Sequence, residues 1–202
     1  MQILTAPQIR ALDEATVLEF GITSTDLMES ASHAFVRAFR AHFDPGRTVT
    51  ILCGTGNNGG DGLAVARLLS PQYNVTVLDA RVGARSADNA VNHRRLKGKN
   101  LPLEAGDAFP HLPEDTVLID ALFGTGLNRP LAGYWAELVE YFNGQNYITV
   151  ALDLPSGLLA DTTTTGPVLR AERTITLACP NLPSSPRKTP RGSAVGRSLL
   201  FP

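Results

Sequence analysis

Apolar positions in the first forty residues recur at helical spacing. In "TAPQIRALDEATVLEF", Ile9, Leu12, Ala15, Val17 and Leu18 fall close to a 3.6-residue period, and Pro7 suits a first turn. The pattern in "TDLMESASHAFVRAFRAHF" predicts a second helix, with Thr25 as its cap and Asp26 or Glu29 in its first turn. After the turn "DPGR" the pattern changes. "TVTILC" reads as a buried strand and "GDGLAVARLLS" as a helix. "YNVTVLDA" is a second strand, followed by the weakly amphipathic helix "SADNAVNHRRLKG". "DTVLIDALFG" is a third strand, "GYWAELVEYFNG" a helix, "YITVALDLPSG" a fourth strand and "RTITLAC" a fifth. Short apolar runs alternating with helices predict an α/β fold with a mostly parallel sheet and helices on both faces.

Composition narrows the function classes. The 202 residues are 43% hydrophobic and 18% charged, with a formal net charge of −1, so no global field points to nucleic acid or an anionic membrane. No apolar run reaches a membrane span and no signal peptide is visible. Cys53 and Cys179 each end a β-like run and read as packing residues, which makes a reducing cytoplasm the expected setting. One domain is expected over residues 1–180. Residues 181–202 form a Pro-, Ser- and base-rich tail with no acid, expected to be loose and to add little to the core.

Ligands of a parallel sheet bind beyond the carboxyl ends of its strands. Three loops there combine glycine with carboxylates. In "GTGNNGGDG", Gly54, Gly56 and Gly59 match the dinucleotide pattern, and Asp79 ends the next strand about 25 positions on, where a ribose-binding acid would stand. Asn57, Asn58 and Asp61 crowd the place of a pyrophosphate, however. Turn residues and a helix cap would explain them equally well. "DALFGTGLNRP" places Asp120 at a strand end, before a glycine segment able to wrap a phosphate, with Arg129 supplying charge. "DLPSG" offers Asp153 and Ser156. None of the four histidines lies in a late strand-end loop, which argues against a serine hydrolase.

Taken together, "GNNGGDG", "DALFGTG", "DLPSG" and the opening "TAPQIRALDEATVLEFGITSTDLMESA" resemble the NAD(P)H-hydrate epimerase family over about residues 1–180. The resemblance implies a Rossmann-like three-layer sandwich and an isomerase that interconverts the R and S forms of hydrated NADH or NADPH. A separate S-specific dehydratase would complete the repair, and the family pattern allows a homodimer. The resemblance also implies a bound potassium ion, with Asn58, Asp120 and Ser156 as its ligands. Substrate contacts carry over to Asn57, Asn58, Gly59, Gly60 and Asp61, to Gly124, Thr125, Gly126, Leu127, Asn128, Arg129 and Pro130, and to Asp153. Asp153 is the first choice for acid–base catalysis and Asp61 the second.

The chemistry agrees with that assignment. Amide, carboxylate and hydroxyl oxygens are hard donors of the type an alkali cation selects. Such a cation would offset carboxylates that otherwise repel a diphosphate. Two departures stand out: Pro180 is followed by Asn181 where the family has a Pro-Lys pair, and "SAVGRSLLFP" only loosely echoes the family's last strand. The alternatives are a non-catalytic binding or assembly module on the same fold, and a standard NAD-dependent oxidoreductase. The second explains Gly54, Gly56, Gly59 and Asp79 but leaves the other two loops without a purpose.

Overall fold

The computed structural model describes residues 4–96, 98–177 and 200–201. Two helices lead. α1 (Ala6–Phe20) starts at a capping box in which Thr5 and Gln8 bond reciprocally. α2 (Ser24–Arg40) starts at a second such box, between Thr23 and Asp26. The expected cap was Thr25. Its hydroxyl instead donates to Asp88, far along the chain, at 2.8 Å.

The remaining elements are β1 (Thr48–Cys53), α3 (Asn57–Leu69), β2 (Asn74–Ala80), α4 (Ala87–Arg95), β3 (Lys99–Leu103), β4 (Val117–Ala121), α5 (Tyr134–Asn143), β5 (Ile148–Leu152), β6 (Arg173–Ile175) and β7 (Leu200–Phe201). The sheet order is β3-β2-β1-β4-β5-β6-β7. β1 to β6 pair in parallel, and β7 pairs antiparallel with β6. β3 was not foreseen. Its "KNLPL" has no β-rich alternation, and Pro102 fits because β3 is an edge strand, where a missing N–H costs no ladder bond.

Alternation along the central strands feeds two cores. Val49, Ile51 and Cys53 of β1, with Val117, Ile119 and Ala121 of β4, face Phe35, Phe39, Leu63 and Leu69 of α2 and α3. Leu52 and Leu118 face the opposite way, toward Leu138, Val139 and Phe142 of α5. A sheet covered on both faces needs continuous apolar strands, which the sequence supplies. Each fully buried Leu, Ile or Phe contributes roughly 1.5–3 kcal/mol, enough to hold the strand ends as a rigid frame.

Cys53 is buried and free. Cys179 and the tail from residue 181 lie outside the described residues, apart from the two-residue β7. Among the described residues no helix is long and apolar enough to cross a membrane.

Candidate active site

The strand order reverses direction between β1 and β4, so a crevice opens beyond their carboxyl ends. The chain enters it three times: after β1, after β4 and after β5. The first two exits touch. The Gly54 N–H donates to the Ala121 carbonyl at 3.1 Å. A Cβ on Gly54 would overlap the Leu122 backbone, and one on Gly59 would overlap the Gly54 backbone. These glycines let α3 start hard against the strand ends.

The helix starts earlier than its apolar pattern indicates. Asn57 to Gly59, expected as loop ahead of the helix, form the opening of α3. Gly56 caps it without any side-chain bond. Asn57 is exposed at the tip, while Gly59 and Gly60 are buried and serve packing.

Asp120 closes β4 and is fully buried. It accepts the Ser156 N–H at 2.7 Å, the Ser156 hydroxyl at 2.6 Å and the Leu122 N–H at 3.2 Å. Burial pushes its carboxyl up to about 6, against the lowering effect of the Ser156 and Leu122 bonds. Among the described residues no cationic side chain pairs with it. The Ser156 oxygen also accepts the Phe123 N–H at 2.9 Å, which ties the exits of β4 and β5 together.

Asp153 follows β5 with φ of 73°, a non-glycine residue in the left-handed region. Such a conformation costs about 1–3 kcal/mol and collects at functional sites. Three bonds hold it: its N–H to the Ile175 carbonyl at 3.0 Å, the Thr176 hydroxyl to its carbonyl at 3.2 Å, and the Thr125 N–H to its carboxylate at 2.9 Å. Its pKa is raised by burial, with the Thr125 bonds opposing. Gly124 sits between this carboxylate and the Asn58 amide, so that a Cβ there would press on both.

Asp61 is half-buried. Its pKa is raised well above the ordinary value, by burial first and then by the carboxylates of Asp153, Asp13 and Asp88. Asp13 belongs to α1 and is itself raised, by burial and then by Asp153. No sequence motif pointed to Asp13. Its place at the crevice depends on how α1 lies over the sheet. Gly126, Asn128, Arg129 and Pro130 are exposed, Thr125 and Leu127 half-buried. Thr125 to Asn128 line a groove of about 280 Å³ shared with Pro7 and Arg10 of α1 and with Asp161.

The ribose-acid reading of Asp79 meets a different structure. Asp79 is fully buried and ion-paired to Arg85 at 2.6 Å and Arg81 at 3.1 Å, with the His93 ring at 3.2 Å. Burial works against its charge, yet Arg85 and Arg81 hold the carboxyl below its usual range. An acid engaged by two guanidinium groups and an imidazole ring is not free to accept a ribose hydroxyl.

Asp120 and Ser156 place a carboxylate and a hydroxyl oxygen together, hard donors of the type an alkali cation takes. A buried carboxylate without a counter-charge is costly. The Asn58 side-chain nitrogen is buried with no hydrogen-bond partner among the described residues. Exchanging amide oxygen and nitrogen, which look alike in placement, would put an oxygen donor there.

The sheet order and the crevice define a Rossmann-type α/β protein whose ligand site is lined with carboxylates. Comparison with known proteins takes this further. Residues 24–182 match the family described as "YjeF-related protein N-terminus". The NAD(P)H-hydrate epimerase of Limosilactobacillus fermentum is 35% identical, over 88% of this chain and 86% of its own length. That of Rhodopirellula baltica is also 35% identical, over 89% of this chain and 75% of its own. The bifunctional NAD(P)H-hydrate repair enzyme Nnr of Moorella thermoacetica is 37% identical, but this chain spans only 37% of it. The crystal structure of the yeast protein ynu0 (YNL200c) superposes with a TM-score of 0.68 at 23% identity, over 82% of this chain and 75% of its own, and supports the fold. The chain belongs to the NAD(P)H-hydrate epimerase family.

Proposed function

We propose that this chain is an isomerase that interconverts the R and S epimers of hydrated NADH and NADPH, as a step in nicotinamide cofactor repair. One observation carries the reading. A half-buried Asp153 carboxylate, its pKa raised by burial, is held by the Thr125 N–H beside Gly124 and Asn58, in the crevice where a Rossmann-type sheet receives a dinucleotide.

The chemistry asks for a proton donor that becomes a base. Protonated Asp153 gives its proton to the ring hydroxyl, and water leaves as the ring nitrogen lone pair forms an iminium. The carboxylate then stabilises that cation. Water adds to the opposite face, and Asp153 takes the proton back. Asp61, with its own raised pKa and its place near Asp153, adds negative potential over the ring and is the second candidate for the proton transfer. The open turn from Gly124 to Pro130 and the opening of α3 supply the remaining substrate contacts.

Asn58, Asp120 and Ser156 would hold a potassium ion, whose charge would offset the carboxylates that face a diphosphate. The dehydratase that consumes the S form is a partner in the pathway, and in bifunctional relatives the repair activities share one chain. We place the reaction in the cytoplasm, where reduced nicotinamide cofactors turn over. A homodimer remains part of the proposal.

The deciding experiment mixes purified R hydrate with this protein and an S-specific dehydratase, and follows recovery of the reduced nicotinamide absorbance. Recovery no faster than spontaneous epimerisation would leave the assembly-module reading in its place.

A further inference from the structure

We infer that Ser86 and Asn89, at the start of α4, are positioning residues that hold the Gly54–Thr55–Gly56 turn with its amides facing outward for the substrate's diphosphate. The inference rests on the proposed epimerase reading of the crevice. The turn belongs to that site, and the clamp behind it is the new element.

Three successive carbonyls of the turn accept from the same side. The Asn89 side-chain amide donates to the Gly54 carbonyl and to the Gly56 carbonyl, each at 2.9 Å. The Ser86 N–H donates to the Thr55 carbonyl, also at 2.9 Å. Among the described residues every peptide bond is trans. In a planar trans peptide the N–H points opposite to the carbonyl. Fixing these three carbonyls against α4 therefore turns the N–H groups of Thr55, Gly56 and Asn57 the other way. No acceptor among the described residues takes the Thr55 or Gly56 N–H. Asn57 opens α3, so its N–H has no partner within the helix either. Consecutive outward amides at a helix start are a receptor for phosphate oxygens.

The clamp is itself held in one orientation. Arg85 donates to the Asn89 side-chain oxygen at 2.8 Å. A guanidinium only donates and a carbonyl only accepts, so the Asn89 amide has one arrangement that satisfies all three neighbours. Arg85 is anchored in turn by both oxygens of Asp79, at 2.7 and 2.6 Å. Asn89 is completely buried. The acid that reads ribose in dinucleotide folds here acts at one remove: Asp79 fixes Arg85, Arg85 orients Asn89, and Asn89 sets the turn.

A diphosphate contact is made equally in the ground state and the transition state, so its loss raises KM and spares kcat. For Asn89→Ala we expect KM for the R hydrate to rise about tenfold, with kcat within about twofold. The dissociation constant of ADP-ribose, measured by calorimetry, should rise by a similar factor. Arg85→Gln should shift both in the same direction by a smaller factor, and it supplies the readout should Asn89→Ala not fold. Tyr73→Phe is the control. It loses one buried bond, to the Phe43 carbonyl, just ahead of β2 at the amino end of the sheet. It should lower the unfolding temperature without moving KM or ADP-ribose affinity. Unchanged KM and ADP-ribose affinity in the Asn89 or Arg85 variant would overturn the inference, as would loss of kcat alone. An inactive wild-type protein would instead refute the epimerase reading, while ADP-ribose binding still tests the clamp.

Discussion

Ser156 donates to Asp120 twice, through its backbone N–H at 2.7 Å and its hydroxyl at 2.6 Å, although the two residues lie 36 positions apart. The pair joins the carboxyl ends of β4 and β5 and leaves a buried carboxylate with no cationic partner among the described residues. Hydrogen bonds spread that charge without cancelling it.

Potassium is therefore expected to stabilise the protein. A ligand present at about a hundred times its Kd adds about 2.7 kcal/mol, which for a chain of this size raises Tm by roughly 5–11 °C. Thermal unfolding in potassium chloride, compared with tetramethylammonium chloride at equal ionic strength, measures the effect. Asp120→Asn should flatten the response, and Ser156→Ala should weaken it. Equal curves in the two salts for the wild-type protein would remove the cation from the proposal.

Asp153→Asn should lower epimerisation at least about a hundredfold, the usual scale for one positioned acid or base. Asparagine is nearly isosteric and tolerates positive φ well, so the backbone at φ 73° should not object. Circular dichroism and Tm should match the wild type. If Asp153→Asn turns over normally while Asp61→Asn does not, the proton transfer belongs to Asp61.

Gly124→Ala tests position without touching a titratable group. The new methyl would push into the Asp153 carboxylate and the Asn58 amide. Displacing a reacting group by about 1 Å can cost roughly a hundredfold in rate. Activity should fall far more than stability, as read from kcat and from urea unfolding of the same preparation. A proportionate fall in both would mean that Gly124 serves only the fold.

Asp79 sets an acid limit on stability. Its folded-state pKa is depressed by Arg85 and Arg81 below the ordinary value of about 3.9. Below that ordinary value the unfolded chain takes up a proton that the folded chain resists. The stabilisation is thus complete above about pH 4 and lost as pH falls through the folded value. Unfolding free energy measured from pH 6 to pH 3 should show a steep loss in the wild type and a shallower one in Asp79→Asn. Parallel curves would show that the ion pairs contribute nothing to folding.

The sequence by itself determined the alternation of strand and helix and the three polar strand exits, because burial of a sheet on both faces leaves continuous apolar runs and ligand loops leave glycine beside carboxylate. The joint motifs were also enough to indicate the family. Local chemistry limited the rest of the reading. Thr25 looks like a cap as much as Thr23 does, and only the approach of α4 decides that its hydroxyl goes to Asp88. Asn57 to Gly59 read as loop because asparagine and glycine lower helix propensity. Packing against Gly54 makes them helical. β3 carries a proline and no alternation, and it is a strand because β2 offers it an edge. Asp79 fits a ribose-binding fingerprint by spacing, but tertiary structure brings Arg81, Arg85 and His93 onto it and turns it inward. Asn89 and Asp13 carry no motif at all. Their roles arise from long-range contacts, whose partners are set by how helices lie on the sheet, and helix placement leaves no mark at any single position of the chain.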